Sequence, residues 1–317
     1  MMTDGKKTAD AGGIARCAVK ALIYEVSVTP KPGLVDRADC GAHGDMDFFT
    51  FLDSALVLTP YFEECAAAGI RAAENAVLAG LLAKLREPGK EAERKMLLAT
   101  GGVNTHKGAI FLLGLLTAAA GYCLGSREQK DPAAGSCPGE PEKELKAEEI
   151  LRTAGCIAAP VMQDFAQAAE ASLRPAAQDL AADPDAAPAE TAGLKQYREN
   201  GCTGIRGEAA GGFPSLKNVA LPRLIKERQA GASINDAGVA VLLDLILSVE
   251  DTTLLKRCGS RKALEAEREL LRELLQKKTP VEAAGELNER WTQKGYSAGG
   301  CADLLGAAFF LLFIENI

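Results

Sequence analysis

The chain carries only two histidines, His43 and His106, and each falls inside a glycine-flanked polar motif. His106 belongs to "TGGVNTHKGAIF", residues 100–111, where Asn104 or Thr105 can cap the apolar helix that follows. That cap puts His106 and Lys107 at the first turn, where a cation opposes the helix dipole. A bound anion reverses the penalty, because free N–H groups and an ammonium then converge on it. The competing reading is a capped core helix with a surface lysine.

The same arrangement recurs. In "GCTGIRGEAAGGFPSLKNVALP" Ser215 can cap a helix carrying Lys217, with Arg206 just upstream. In "SAGGCADLLG" two glycines open a helix with Asp303 near its start, and in "VEDTTLLKRCG" Asp251 precedes Lys256 and Arg257. Asp251 and Asp303 can each be a plain N-cap. Together these helix starts suggest ends pooled around a polyphosphate.

"TPKPGLVDRADCGAHGDMDFF", residues 29–49, completes the set with Lys31, Asp36, Arg37, Asp39, His43, Asp45 and Asp47 among prolines and glycines. Just before it, Glu25 sits in the last turn of an apolar helix, the wrong sign for that end of the dipole. Asp45 or Asp47 can cap the helix beginning "FFTFL". Clustered carboxylates of this kind suit Mg²⁺, which keeps waters and bridges phosphates. Asp36, a loop carboxylate crowded by other acids, is expected to tolerate Asn without loss of fold, and Asp39 is read as solvated.

The elements that must position these groups read as helices. Residues 18–28, 49–69, 216–228, 236–250 and 304–314 repeat apolar side chains at three and four, and alternating strand patterns are missing. The fold class is therefore all-α: a single large helical domain, residues 14–317, with polar surface insertions. The clearest insertion is 125–147, and 174–193 is a second soft region. Residues 1–13 read as a frayed N-terminal tail. Residues 108–126 carry no charge and approach membrane-spanning length, but their four glycines, polar tail and amphipathic neighbours favour a helix buried on all sides.

At 317 residues, 47% hydrophobic and 25% charged, the composition is that of a globular protein with a sizeable core. A net charge of −7 argues against non-specific nucleic-acid binding, while a local cationic pocket for a small anion survives it. Nine cysteines without C-x-x-C spacing read as reduced thiols of a cytoplasmic protein. There is neither a P-loop nor a G-x-G-x-x-G, so any nucleotide is held by another design.

"EVSVTPKPGLVDRADCGAHGDM", "GGVNTHKGAIF", "GIRGEAAGGFPSLKNVALP" and "SAGGCADLL" resemble, in order, the motifs of the triphosphoribosyl-dephospho-CoA synthase family over roughly residues 14–315. The resemblance implies an all-helical enzyme that joins ATP to 3′-dephospho-CoA and releases adenine. Its product would pass to the machinery that modifies the acyl carrier subunit of citrate lyase or malonate decarboxylase. On that reading Glu25, Asp36 and His43 are the catalytic candidates. Lys31, Arg37, Asn104, His106, Lys107, Arg206, Lys217 and Asp303 are the phosphate- and substrate-binding candidates. Mg²⁺ is expected on Asp36 or Asp45. Ala298 and Cys301 depart from a usual S-P-G-G-S-A-D-L-L, and Thr253, Lys256 and Cys258 depart from a usual D-T-N-x-x-x-R-G-G. A helical metal-dependent nucleotide phosphohydrolase and a non-catalytic nucleotide- or CoA-binding protein are the alternatives.

Overall fold

The computed structural model describes residues 4–130, 145–163, 197–198 and 201–315. Among these there is no strand. In chain order the helices are α1 (Asp4–Ser27), α2 (Phe48–Val57), α3 (Thr59–Glu74), α4 (Leu81–Ala99), α5 (Lys107–Lys130) and α6 (Ala147–Ala158). After α6 come α7 (Gly204–Ala210), a π-helical turn (Leu216–Ala220), α8 (Leu221–Gln229), α9 (Ile234–Ser248) and α10 (Thr252–Cys258). Three longer helices finish the chain: α11 (Arg261–Leu275), α12 (Pro280–Lys294) and α13 (Gly299–Ile314). One contiguous buried core runs from Ala11 to Ile314.

The centre is α5, packed against α1, α3, α6 and α13. Its most apolar window is long enough to cross a membrane, yet 78% of that window is buried in the protein. The glycines explain how. A Cβ at Gly121 would lie 2.1 Å from the Ala66 carbonyl oxygen, and one at Gly69 of α3 would lie 1.9 Å from that of Ala118. Reciprocal glycines let the backbones of α3 and α5 approach closer than any side chain permits.

Several sequence expectations are corrected. α1 begins at Asp4, so the stretch expected as a tail is helical from there, with Ala11 buried. The insertion expected from residue 125 starts later, because α5 continues to Lys130; residues 131–144 and the soft region 174–193 lie outside the described residues. The run 49–69 is two helices rather than one. The break falls at Leu58, with Pro60 in the first turn of α3, where its missing N–H costs nothing. Ser215 does not cap a helix: its N–H and hydroxyl both donate to Glu208.

Upstream of that serine, Gly212 and Phe213 both adopt left-handed φ, +75° and +61°. For a buried phenylalanine this is strained backbone. A π-helical turn follows at once, another feature that concentrates at functional sites.

Candidate active site

The 29–49 loop is tied down at both flanks. Asn235 of α9 accepts from the Thr29 amide and donates to its carbonyl, and Asn288 of α12 accepts from Gly33 N–H while donating to Asp39. Gly33 has φ +64°, and a Cβ there would strike the Tyr296 carbonyl oxygen at 1.9 Å. Asp36 organises the interior of the loop. It is buried, accepting from the Thr29 hydroxyl and Lys31 N–H on one oxygen and from Ala38 and Asp39 N–H on the other. Asp36, expected as a base or metal ligand crowded by other acids, is instead held by four donors that occupy its lone pairs. Asp47 caps α2 with a full capping box, while Asp45 is exposed, 4.0 Å from the His43 ring.

Mg²⁺ does not fit the residues expected to hold it. Asp36 is saturated and Asp45 stands apart at the surface. Among the described residues no cluster of three His, Cys, Asp or Glu could hold a metal ion.

Glu25 and Lys31 face each other in the interior, 4% and 1% exposed, with Lys31 Nζ donating to Glu25 at 2.5 Å. Lys31 is thus a carboxylate's partner first, and not the open phosphate ligand expected. Burial raises the Glu25 carboxyl above its ordinary value, and the neighbouring ammonium works against that rise. Gly306 of α13 packs beside Glu25, where a Cβ would make only an ordinary contact at 3.7 Å.

One helical turn earlier on α13, Asp303 reaches the start of α5. It accepts from the Ala109 amide, and a Cβ at Gly108 would lie 1.9 Å from its Oδ2. Burial, then the charges of Glu25 and Asp251, push its carboxyl well above the usual range. Asp251 is the N-cap of α10, accepting from Thr253 and Leu254, and its second oxygen accepts from the Cys301 amide. At the departure Cys301, the backbone amide supplies one contact to Asp251, and the thiol lies close enough to Asp251 to feel it as well.

His106 is 3% exposed. The Thr105 hydroxyl donates to Ser54 Oγ at 2.7 Å, and Ser54 Oγ bonds His106 Nδ1 at 2.6 Å. Which of the two donates in the Ser54–His106 contact depends on the imidazole tautomer. Nε2 is buried and has no hydrogen-bond partner in the protein, so this ring edge is open to a ligand. Burial, helped by Lys31, lowers the imidazole to about 3, so it stays neutral. His43 shares a 2.9 Å hydrogen bond with Ser297, and burial followed by the charge of Arg257 lowers its pKa.

On the outer side of the same helix start, Asn104 accepts from Lys107 N–H, capping α5 as the sequence suggests. Lys107 is not an unopposed cation: it pairs with Glu93 of α4 at 2.8 Å. Arg206 lies over the Phe111 ring, 5.9 Å from its centroid, and feels the charge of Glu93. Arg37 is exposed against Asn235, and Lys217 is exposed on the π-helical turn; neither joins the buried cluster. Sequence reading missed Ser54, Glu93 and Phe111. Nothing in their local patterns separates them from helix-face residues, and only tertiary packing brings them to α5.

Buried carboxyls, a neutral imidazole and nearby cations gathered at helix ends define an all-helical group-transfer enzyme outside the P-loop and Rossmann designs. Comparison with known proteins makes this specific. The family described as ATP:dephospho-CoA triphosphoribosyl transferase matches residues 11–317. A Lactiplantibacillus plantarum protein called a "probable 2-(5''-triphosphoribosyl)-3'-dephosphocoenzyme-A synthase" is 38% identical over 305 residues, 94% of this chain and 95% of that protein. Proteins of the same description from Streptococcus equi subsp. zooepidemicus and Vibrio cholerae are each 36% identical. The first covers 96% of this chain and 97% of its own length, the second 94% and 87%. No solved structure matches. The chain belongs to the ATP:dephospho-CoA triphosphoribosyl transferase family, and it is a transferase.

Proposed function

We propose that the chain transfers the triphosphoribosyl group of ATP to the ribose 2′-hydroxyl of 3′-dephospho-CoA, releasing adenine. The observation that carries the mechanism is the pairing of Glu25 with Lys31 beside the strongly perturbed Asp303. Lys31 works against the rise that burial imposes on Glu25, whereas Asp303 has no such cation among its influences and is pushed further toward its protonated form by burial and by Glu25 and Asp251. Environments that push two carboxyls apart divide base from acid. Glu25 takes the proton of the 2′-hydroxyl as its oxygen bonds to C1′ of the ATP ribose. The bond from C1′ to N9 breaks, its electron pair leaves with adenine, and Asp303 supplies the proton adenine needs. Positive charge on the ribose ring in between resembles glycoside chemistry. The unpartnered Nε2 of the neutral His106 offers a fixed hydrogen-bonding group to the substrate.

Lys107 and Arg206 are the nearest cations for substrate phosphates, with Lys31 deeper. Asn104 shapes the helix start, and Arg37 and Lys217 have a role only at the periphery. His43 positions Ser297 rather than touching substrate. Mg²⁺ enters only as the companion of ATP, and no residue is assigned to it. The product would supply the prosthetic group of an acyl carrier subunit, that of citrate lyase or malonate decarboxylase, in the cytoplasm.

The test is incubation with ATP, Mg²⁺ and dephospho-CoA, followed by analysis for adenine, phosphate and a heavier CoA adduct. Adenine formed in step with the adduct is the expected result. Phosphate without adenine would favour the phosphohydrolase, and no turnover despite binding would favour a non-catalytic binder.

A further inference from the structure

A cleft of about 340 Å³ opens between α3, α4, α5 and α7, on the outer side of the helix start that carries His106. Its body is aliphatic and aromatic, built on Leu82, Leu85, Phe111 and Leu115. Arg86, Lys90 and Arg206 stand around it, and its acid, Glu93, is taken up by Lys107. Lys90 makes an exposed pair with Glu87, a contact of little worth that a ligand can displace.

We propose that this cleft takes the pantetheine arm of dephospho-CoA, with the adjoining diphosphate on Arg206 and Lys90; this rests on the transferase reading above. Two observations carry it. First, the lining offers no side-chain amide, serine or threonine to a purine edge, and the Tyr61 hydroxyl already donates to the Ile110 carbonyl. An apolar wall with cations at its mouth suits a methylene- and methyl-rich arm ending in phosphate, not an adenine ring. Second, the order of groups matches. Ile205, next to Arg206, packs on Gly108 beside Asp303. Running from cleft to cations to acids therefore follows arm, diphosphate and ribose along dephospho-CoA, and brings the 2′-hydroxyl to the carboxyls.

Gly89 of α4 lines the cleft, and a Cβ there meets only the Tyr61 hydroxyl, at 3.6 Å, an ordinary contact. Gly89→Phe should fill the space without disturbing the core. The expected result is a KM for dephospho-CoA raised about tenfold or more with the KM for ATP unchanged. A raised KM for ATP instead, or no change in either, overturns the assignment. Calorimetric titration with 4′-phosphopantetheine alone needs no turnover, so it separates this proposal from the transferase reading. Binding to the unmodified protein that Gly89→Phe abolishes supports the cleft; no binding, or equal binding to both, overturns it. Should Gly89→Phe lose helical circular dichroism, the exposed Lys90→Glu carries the same comparison through the diphosphate.

Discussion

Glu267 is a buried acid and Asp303 a half-buried one, and their surroundings treat them in opposite ways. Burial pulls Glu267 upward. The hydrogen bonds from Arg290, Lys294 and the Trp291 indole, with the charge of Arg290, win and leave it at about 2. It is a rivet between α11 and α12. Asp303 receives a backbone amide from α5, faces two further acids, and is held well above its ordinary value. A raised folded pKa means that this group's contribution to stability is present at low pH and is lost as pH rises through that value. Asp303→Asn keeps an acceptor for Ala109 while removing the charge. It should therefore raise the thermal midpoint at neutral and alkaline pH, yet slow adenine release by about 10²-fold or more. A lower midpoint together with intact turnover would return Asp303 to a capping role. Asp36→Asn should behave the other way. Turning one oxygen into an amide group leaves its two donors facing a donor, at about 1–3 kcal/mol for each buried group left unsatisfied. Loss of midpoint in a calorimetric scan is the check. The sequence shows that Asp36 and Asp303 are both unusual. What it does not show is that one is saturated by the fold of its own loop, which residue types alone do not give, and that the other faces rival acids, which lie elsewhere in the chain.

Helices were legible in the sequence because their apolar spacing is local, and α5 could be read as central because its glycines mark close backbone approach. Breaks were less legible. The split at Leu58 depends on a single proline, and the π-helical turn after Phe213 has no periodic signature of its own. The α3–α5 contact offers a test. Alanine is the better helix former by roughly 1 kcal/mol, so Gly121→Ala in an exposed helix would stabilise. Here its Cβ would meet the Ala66 carbonyl oxygen at 2.1 Å, against backbone that cannot step aside. The expected outcome is destabilisation of about 1–3 kcal/mol or more, the scale of an overpacked interior, read from urea midpoints. An unchanged midpoint would mean that the two helices separate freely and that close approach is not what holds α5 in the centre.

At the scale of the whole molecule, helix ends from distant parts of the sequence meet at one place: the C-terminal turn of α1, the starts of α5 and α10, and the first turns of α13. An acidic protein of net charge −7 gathers Glu25, Asp251 and Asp303 there, with the buried ammonium of Lys31 paired to Glu25. Coupled groups of this kind titrate as a cluster, so the pH profile belongs to the assembly rather than to any one residue. If Glu25 must be ionised, activity is lost as pH falls through its value, which burial places above that of an ordinary glutamate. If Asp303 must be protonated, activity is lost as pH rises through its own, which lies well above that of an ordinary aspartate. The profile of kcat/KM should be a bell whose acid limb disappears in Glu25→Gln and whose alkaline limb disappears in Asp303→Asn, each measured on residual activity. His106, held at about 3, contributes no limb in the neutral range. His106→Gln should lower the height of the bell while leaving both limbs in place. A limb that shifts toward neutrality with that variant would mean the imidazole itself exchanges the proton, and the division of labour between the two carboxyls would fall.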